Sequence, residues 1–308
     1  LTAGLFLVGA ANAVAMLSRY AAAELYPAER RGAVMGTVVW GGTIGALAGP
    51  AMLPVTSELA SPPEVGPYVL ALLATIGALV AVSGFPSAQA PPAGGLAPPG
   101  PHRDQAPRTE RETATDERAA ITRVALVSMI TGQVIMVAVM TMTPVHMHTH
   151  GQGLGAVSVV LTAHLAGMFA LAPLSGKLAD RIGGAATIQA GLAVLVSSGV
   201  CTVLASPSAG FVFSAGLFLL GYGWNLTFVG GSALLTGRST RLQGRVDALV
   251  WAASGVAGLG AGPLMAGAGF GALVAVACAA VVLPAVLLRH HARRGERAKA
   301  DQSTPVPF

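Results

Sequence analysis

Charged side chains are scarce. They make up 10% of the 308 residues against 53% hydrophobic, and mean hydropathy is +0.67. A soluble domain carries roughly a quarter of its residues charged, so the composition excludes one and predicts an all-α polytopic membrane protein. Cysteine is almost absent. Cys201 and Cys278 both lie inside apolar runs, in no metal-binding or redox spacing, and read as packing residues. The marks of an enzyme are missing too. There is no His-Glu-x-x-His, no Gly-x-Ser-x-Gly, no phosphate loop and no pair of carboxylates inside an apolar run. A membrane-embedded enzyme is therefore set aside, and no cofactor is expected. No basic n-region followed by a cleavage site marks a signal peptide. The chain opens on Leu1 rather than Met, which reads as a missing N-terminus. A net charge of +5 does not argue for a nucleic acid partner, because the basic residues are spread over loops.

Apolar length is what the chain has in quantity. Nine hydrophobic segments can be drawn, at about 2–22, 33–53, 68–85, 122–143, 155–175, 185–204, 209–234, 246–266 and 268–288. The last two meet at Gly267-Ala268-Gly269, which predicts a hairpin. With nine helices all 18 Lys and Arg fall on one side of the membrane, and the opposite loops carry none. The positive-inside rule then places the linker and the C-terminal tail in the cytoplasm of a multi-pass cell-membrane protein. The chain also repeats itself. Gly4-Leu5-Phe6-Leu7-Val8-Gly9 is echoed by Gly216-Leu217-Phe218-Leu219-Leu220-Gly221, an offset of 212 (216 − 4). Nearly the same offset carries Arg31-Gly32, Trp40 and Gly49-Pro50 onto Gln243-Gly244, Trp251 and Gly262-Pro263. Parallel repeats of this kind build secondary transporters. Three helices precede the second copy and only three residues precede the first, so about three N-terminal helices are expected to be absent.

Between the apolar runs 155–175 and 185–204 stands one charged island, Gly176-Lys177-Leu178-Ala179-Asp180-Arg181-Ile182-Gly183. It reads as a very short loop. Gly176 and Gly183 permit a tight turn, Asp180 suits the positive end of a helix, and Lys177 and Arg181 mark the cytoplasmic side. The pattern Gly-x-Leu-Ala-Asp-Arg-x-Gly resembles the loop motif of the major facilitator superfamily, found there after the second and eighth helices. The resemblance implies nine helices equivalent to the fourth to twelfth of twelve. It divides the chain into the remainder of an N-terminal bundle (1–85), a cytoplasmic linker (86–121), a C-terminal six-helix bundle (122–288) and a basic tail (289–308). Linker residues 86–101 should be extended, 102–120 should form a short surface helix, and the tail should be disordered near lipid headgroups.

Two further stretches carry the resemblance. Gly36, Gly45 and Gly49-Pro50 are similar to the fifth-helix motif of proton-coupled drug antiporters, with Leu53 in place of its last glycine. Gly41, Gly45 and Gly49, four apart, form a smooth stripe that a neighbouring helix can approach, and Pro50 can bend the end. Glu24, Pro27, Arg31 and Gly32 are similar to the loop after the fourth helix. Glu24 and Arg31 are expected to pair there, with Gly32 opening the next helix. By pseudo-symmetry Asp180 should face the helix start near Gly32–Gly36.

Polar groups inside a membrane need a partner or a water-filled cavity. The candidates are Asn12, Arg19, Gln133, His164, Trp224 and Asn225. His164 reads either as a group for a proton or substrate or as a hydrogen bond between helices. Asn12, Gln133 and Asn225 either line a central cavity or tie helices together. Arg19 is expected to snorkel or to pair with Glu24. His146, His148 and His150 alternate beyond Pro144 and read as an interfacial loop rather than a metal site, and no metal is expected. No segment shows an Asp or Glu at mid-membrane, so proton coupling would fall to His164 or to helices absent from the chain. The reading is a secondary transporter working by alternating access, most like a proton-driven exporter of small, amphiphilic molecules. An uptake carrier on the same fold and an inactive truncated fragment are the alternatives. Its partners are a small-molecule substrate, an ion gradient and the lipid bilayer.

Overall fold

A computed structural model describes residues 17–58, 61–62, 65–83, 108–205 and 210–303. Asn12, the Gly4–Gly9 element, most of the linker and residues 304–308 lie outside the described residues. Among the described residues every regular element is helical. Helix α1 is described over 17–24. It is followed, after a 3-10 turn at Ala28–Arg30, by α2 (Arg31–Gly41), α3 (Thr43–Glu58), α4 (Val65–Ser83) and α5 (Arg108–Thr149). Then come α6 (Leu154–Phe169), α7 (Ala172–Ile182), α8 (Gly184–Leu204), α9 (Gly210–Leu235), α10 (Thr240–Ala279) and α11 (Val282–Ser303).

Six of the described stretches are long and apolar enough to cross a membrane: Ala28–Gly49, Thr115–Thr149, Gly155–Ile182, Gly184–Leu204, Gly210–Leu235 and Thr240–Arg293. As one straight helix the last would run about 80 Å, far beyond the ~30 Å hydrocarbon core. It turns back at Gly269, whose φ of 82° and ψ of 169° break α10. Only glycine takes that backbone conformation freely. The hairpin expected at Gly267–Gly269 is thus present. Its first arm sets Ser254 against Gln133 and Gly258 near Val137 on α5. Its second arm runs the other way, from Phe270 at His146 to Leu287 and His290 in a hollow shared with Ala120 and Arg123.

The chain divides into two compact units, Leu1–Leu47 with Ala120–Phe308, and Ala48–Ala119. The smaller unit holds most of α3, all of α4 and the first turns of α5, and its α4 exposes Leu72, Leu73, Leu79 and Val80. The larger unit holds the core. Ile135, Leu195, Phe213, Leu217 and Leu273 form one buried cluster. Tyr20, Met35, Met129, Trp224, Phe228 and Val250 form a second.

Several local expectations change. The run 33–53 is two helices that meet at Gly42. The run 155–175 breaks at Ala170 and Leu171, because Pro173 sits in the first turn of α7, where its missing N–H is harmless. The charged octet is not a loop. Helix α7 continues through Ile182, burying Ala172, Ser175, Gly176 and Ala179 at helical spacing. Lys177, Asp180 and Arg181, at i, i+3 and i+4, occupy the rest of its last turns. The connection to α8 is Gly183 alone, with φ of 83°. The surface helix expected within 102–120 is the start of α5, which runs unbroken from Arg108 through Pro144 to Thr149. His146 and His148 are therefore helical and not in an extended turn. The tail, expected to be disordered, continues α11 to Ser303. Its Arg, Ala, Glu and Lys are good helix formers, and Gly295 alone does not stop them.

Candidate functional site

Asp180 is the first of two links between distant parts of the sequence. Its carboxylate accepts from Gly32 N through Oδ1 and from Ala33 N through Oδ2, both at 2.7 Å. Those amides lie in the first turn of α2, where a helix has no internal acceptors and its dipole favours an anion. No side chain of α2's own flank caps it. Asp180 therefore supplies from α7 the cap that α2 lacks. The approach is possible because Gly32 and Gly176 have no Cβ. One added to Gly32 would stand 2.6 Å from both Asp180 Oδ1 and Gly176 O. Gly36 likewise abuts Ala172 O. Leu178 is half-buried and Arg181 exposed. Arg181 and Lys177 line an open groove with Tyr26, Arg30, Val34 and Val38.

No described atom stands within 4 Å of where a Cβ on Gly41, Gly45 or Gly49 would lie, whereas Gly32 and Gly36 are in close contact with α7. Pro50 is within α3, and its side chain lies outside the described residues. In the preceding loop Pro27 leads into the 3-10 turn, where Arg30 N donates to Pro27 O at 3.0 Å. Arg31 does not pair with Glu24. Its Nε donates to Tyr26 O at 3.1 Å, and Glu24 is exposed.

Arg19 makes the second link. It neither snorkels nor meets Glu24. It is 1% exposed, and its Nη2 donates to both oxygens of Asp247, at 2.8 and 3.0 Å. Its Nε donates to Ser232 Oγ at 3.1 Å and its Nη2 also reaches Tyr20 Oη at 3.2 Å. The guanidinium lies 4.3 Å from the ring centres of Tyr20 and Phe228, so its faces are covered by aromatic carbon. Asp247 is 6% exposed. The carboxylate missing from the sequence reading thus exists, two turns inside α10. Its signal was there: Asp247 is the only acidic residue between Asp180 and Glu296. Its neighbours Arg241 and Arg245 made it look like part of a charged loop.

A third, uncharged network joins three helices. Trp224 Nε1 on α9 donates to Gln133 Oε1 on α5 at 2.6 Å, and Gln133 Nε2 donates to Ser254 Oγ on α10 at 2.8 Å. Trp224 stacks on Phe228 with ring centres 4.9 Å apart and meets Phe169 edge-on. Gln133 and Trp224, both singled out in the sequence, are therefore brought together, while Ser254 and Phe228 were not foreseen. His164 and Asn225 sit apart, on the seam between α6 and α9. His164 Nδ1 donates to Leu217 O at 3.0 Å, and Asn225 Nδ2 donates to Met168 O at 2.7 Å. Both bonds cross from one helix to a carbonyl of the other. At the other end of α5, His146 stacks on Phe270 at 4.1 Å and meets His150 at 4.3 Å. His148 is exposed on a different face of the helix.

Residues 1–263 match the Major Facilitator Superfamily. The chain is 30% identical over 282 residues to YdeG of Bacillus subtilis (strain 168), an uncharacterized MFS-type transporter, covering 87% of this chain and 65% of the relative. It is 28% identical over 267 residues to YddS of the same organism, also an uncharacterized MFS-type transporter, covering 82% of this chain and 60% of the relative. The chain thus spans less than two thirds of the length of these relatives.

Proposed function

Because the chain belongs to the Major Facilitator Superfamily, we propose that it moves small molecules across a membrane by alternating access, with protons driving export. The family is one of transporters rather than enzymes. The observation that carries the mechanism is the Asp180 clamp. A carboxylate from one half of the repeat caps a helix of the other half, a contact between unlike charges that can part and re-form as the halves rock. Residues 1–85 and 122–288 are the two moving halves on this reading, joined by the linker 86–121. The arginine-rich ends of the helices, with the linker and the tail 289–308, face the cytoplasm.

Gln133, Trp224 and Ser254 are the part of the interior best suited to touch substrate. They offer an amide, a hydroxyl and a broad aromatic face, which suits a small amphiphile. His164 and Asn225 serve as ties between α6 and α9. The export direction rests on Gly36, Gly45, Gly49 and Pro50, whose likeness to the antiporter motif departs at Leu53.

The experiment is flux of ethidium, an amphiphilic cation, in inside-out vesicles from cells making the chain. Export predicts that an imposed pH gradient drives the dye into the vesicles and that nigericin abolishes it. Movement in the opposite sense would transfer the chain to the uptake alternative. Absence of flux for ethidium and for a panel of neutral and anionic amphiphiles would point to an inactive fragment.

A further inference from the structure

We propose that Asp247 is a proton-binding site, and that its protonation releases Arg19 and so opens a latch between the two halves of the repeat. The inference rests on the transport reading above. It adds the residue that takes the proton, which the sequence had assigned to His164 or to helices outside the chain.

Burial is the first argument. Arg19 and Asp247 are 1% and 6% exposed. Removing two charges from water costs several kcal/mol per ion, and apolar residues of similar volume often hold such a position equally well. With the repeat offset of 212, Arg19 corresponds to Gly231 and Asp247 to Met35, both uncharged. Gly231 packs on Met129, and Met35 is fully buried near the hydroxyl of Thr236 at 3.6 Å. The repeat thus does not require charge at these positions, which points to a role for the ion pair other than cohesion.

Position is the second argument. Asp247 lies eight residues along the chain from the cap Ser239, about 12 Å from the arginine-rich end of α10 at 1.5 Å per residue. Ser254 of the Gln133 network lies seven residues further, about 10 Å deeper. A proton driven inward therefore passes the aromatic interior first and reaches Asp247 last, close to the arginine-rich end where it is released. The titratable groups facing its carboxylate are Arg19 and Tyr20, both from α1. From α9 the group around Arg19 receives Ser232 and Phe228, neither of which titrates.

The chemistry balances simply. The Asp247 carboxylate gains one proton and becomes a neutral acid, and Arg19 keeps its charge. Before the event the two charges neutralise each other. Afterwards Arg19 is a buried cation without a counter-ion at Asp247, a costly state that is relieved when the guanidinium reaches water. A few residues of α1 separate it from the exposed loop at Glu24–Arg30. Departure of Arg19 uncovers the Phe228 ring, against which Trp224 is stacked.

Trp224 can therefore report the event without a substrate. Of the three tryptophans, Trp40 and Trp251 are replaced by phenylalanine, and the full chain is placed in lipid nanodiscs. Emission is followed from about pH 8 to about pH 5, the range in which a proton gradient acts on a cell membrane. The expected result is one single-proton transition, lost in D247N and kept in D180N, although Asp180 also bridges the halves. D247E, which retains the acid, should keep the transition at a displaced midpoint; this variant decides the matter if D247N does not fold. A flat parent titration, a transition that survives D247N, or an unmoved midpoint in D247E would overturn the proposal. Vesicle flux separates the two ideas. Gradient-driven flux without the Asp247 transition rejects the latch alone, and the transition without flux rejects the transport reading alone.

Discussion

Gly176 and Gly32 meet across the α7–α2 crossing so closely that a Cβ on Gly176 would overlap the carbonyl of Gly32. Asp180 lies one turn beyond Gly176 and reaches the amides of Gly32 and Ala33 only because the two backbones touch. The glycines and the carboxylate form one device, in which close approach sets the length of the hydrogen bonds.

Alanine at Gly176 should therefore be costly. Backbone stands in the way, so the helices must separate, at about 1–3 kcal/mol. Gly45, with no described neighbour, gives the opposite expectation: alanine should be neutral or stabilise α3 by up to about 1 kcal/mol. Thermal unfolding of G176A and G45A in the same detergent compares them. Equal melting temperatures would remove the close contact from the account. A G45A protein that is stable but loses dye flux would tie that glycine to transport.

Asp180→Asn keeps one acceptor but turns an amide N–H toward a backbone N–H of α2. One charge-assisted bond is lost, and with it the favourable charge at the helix start, about 1.5–3 kcal/mol in total. Membrane insertion should be unchanged, since the residue lies at the edge of the apolar run. Ethidium flux should slow about tenfold at unchanged abundance. Normal kinetics at normal abundance would show that the clamp does not take part in the transport cycle.

How much of this was readable from residues alone differs between the two links. Asp180 was placed at the start of α2 by the repeat and by the affinity of a carboxylate for a helix N-terminus, both local properties. Its setting was misread because Lys177, Asp180 and Arg181 between glycines have the composition of a loop, while their i, i+3, i+4 spacing is that of a helix leaving the membrane. Arg19 reads as snorkelling or pairing with Glu24, five residues away, because sequence shows near neighbours only. Its partner is Asp247, 228 residues on. Such a pair follows from packing α1 against α10, and neither helix carries a local sign of it. The stripe Gly41, Gly45 and Gly49 meets the same limit: spacing identifies a smooth face but not what faces it.

Arg19→Gln should be among the more damaging single substitutions, since it leaves Asp247 buried without its cation. Breaking such a pair costs about 3–5 kcal/mol. Removing both charges together, in R19Q/D247N, should recover most of that loss, because two neutral amides can still bond each other. Melting temperatures of the two single variants and the double variant form a closed cycle. A double variant as unstable as the sum of the singles would mean that the two residues do not act as a pair.

His164→Asn tests whether the imidazole does more than tie helices. Asn places an N–H near the position of Nδ1 and should keep the bond to Leu217 O, whereas H164L abolishes it. The expected loss in H164L is about 1 kcal/mol of stability or somewhat more, with the melting temperature largely restored in H164N. Gradient-driven flux should keep the same pH profile in H164N. A displaced or flattened profile would return His164 to the list of proton carriers, in competition with Asp247.

Gln133 offers the sharpest distinction between a substrate contact and a structural tie. Q133L removes the acceptor of the Trp224 N–H and the donor to Ser254, stranding a buried indole donor at a cost of about 1–3 kcal/mol. Loss of stability alone would follow from either role. Q133E separates them. It retains an oxygen for Trp224 and a second oxygen that accepts from the Ser254 hydroxyl, so the three helices stay joined. It also sets a buried negative charge at the indole N–H edge of Trp224, which costs several kcal/mol unless a substrate cation offsets it. If Gln133 touches substrate, the folded Q133E protein should show a lower KM for cationic ethidium and a higher one for an anionic amphiphile. The opposite charges then move KM in opposite directions, which a packing defect does not do. KM values unchanged from the parent for both probes, in folded Q133E protein, would reduce Gln133 to a tie between α5, α9 and α10 and leave the substrate site to be sought elsewhere.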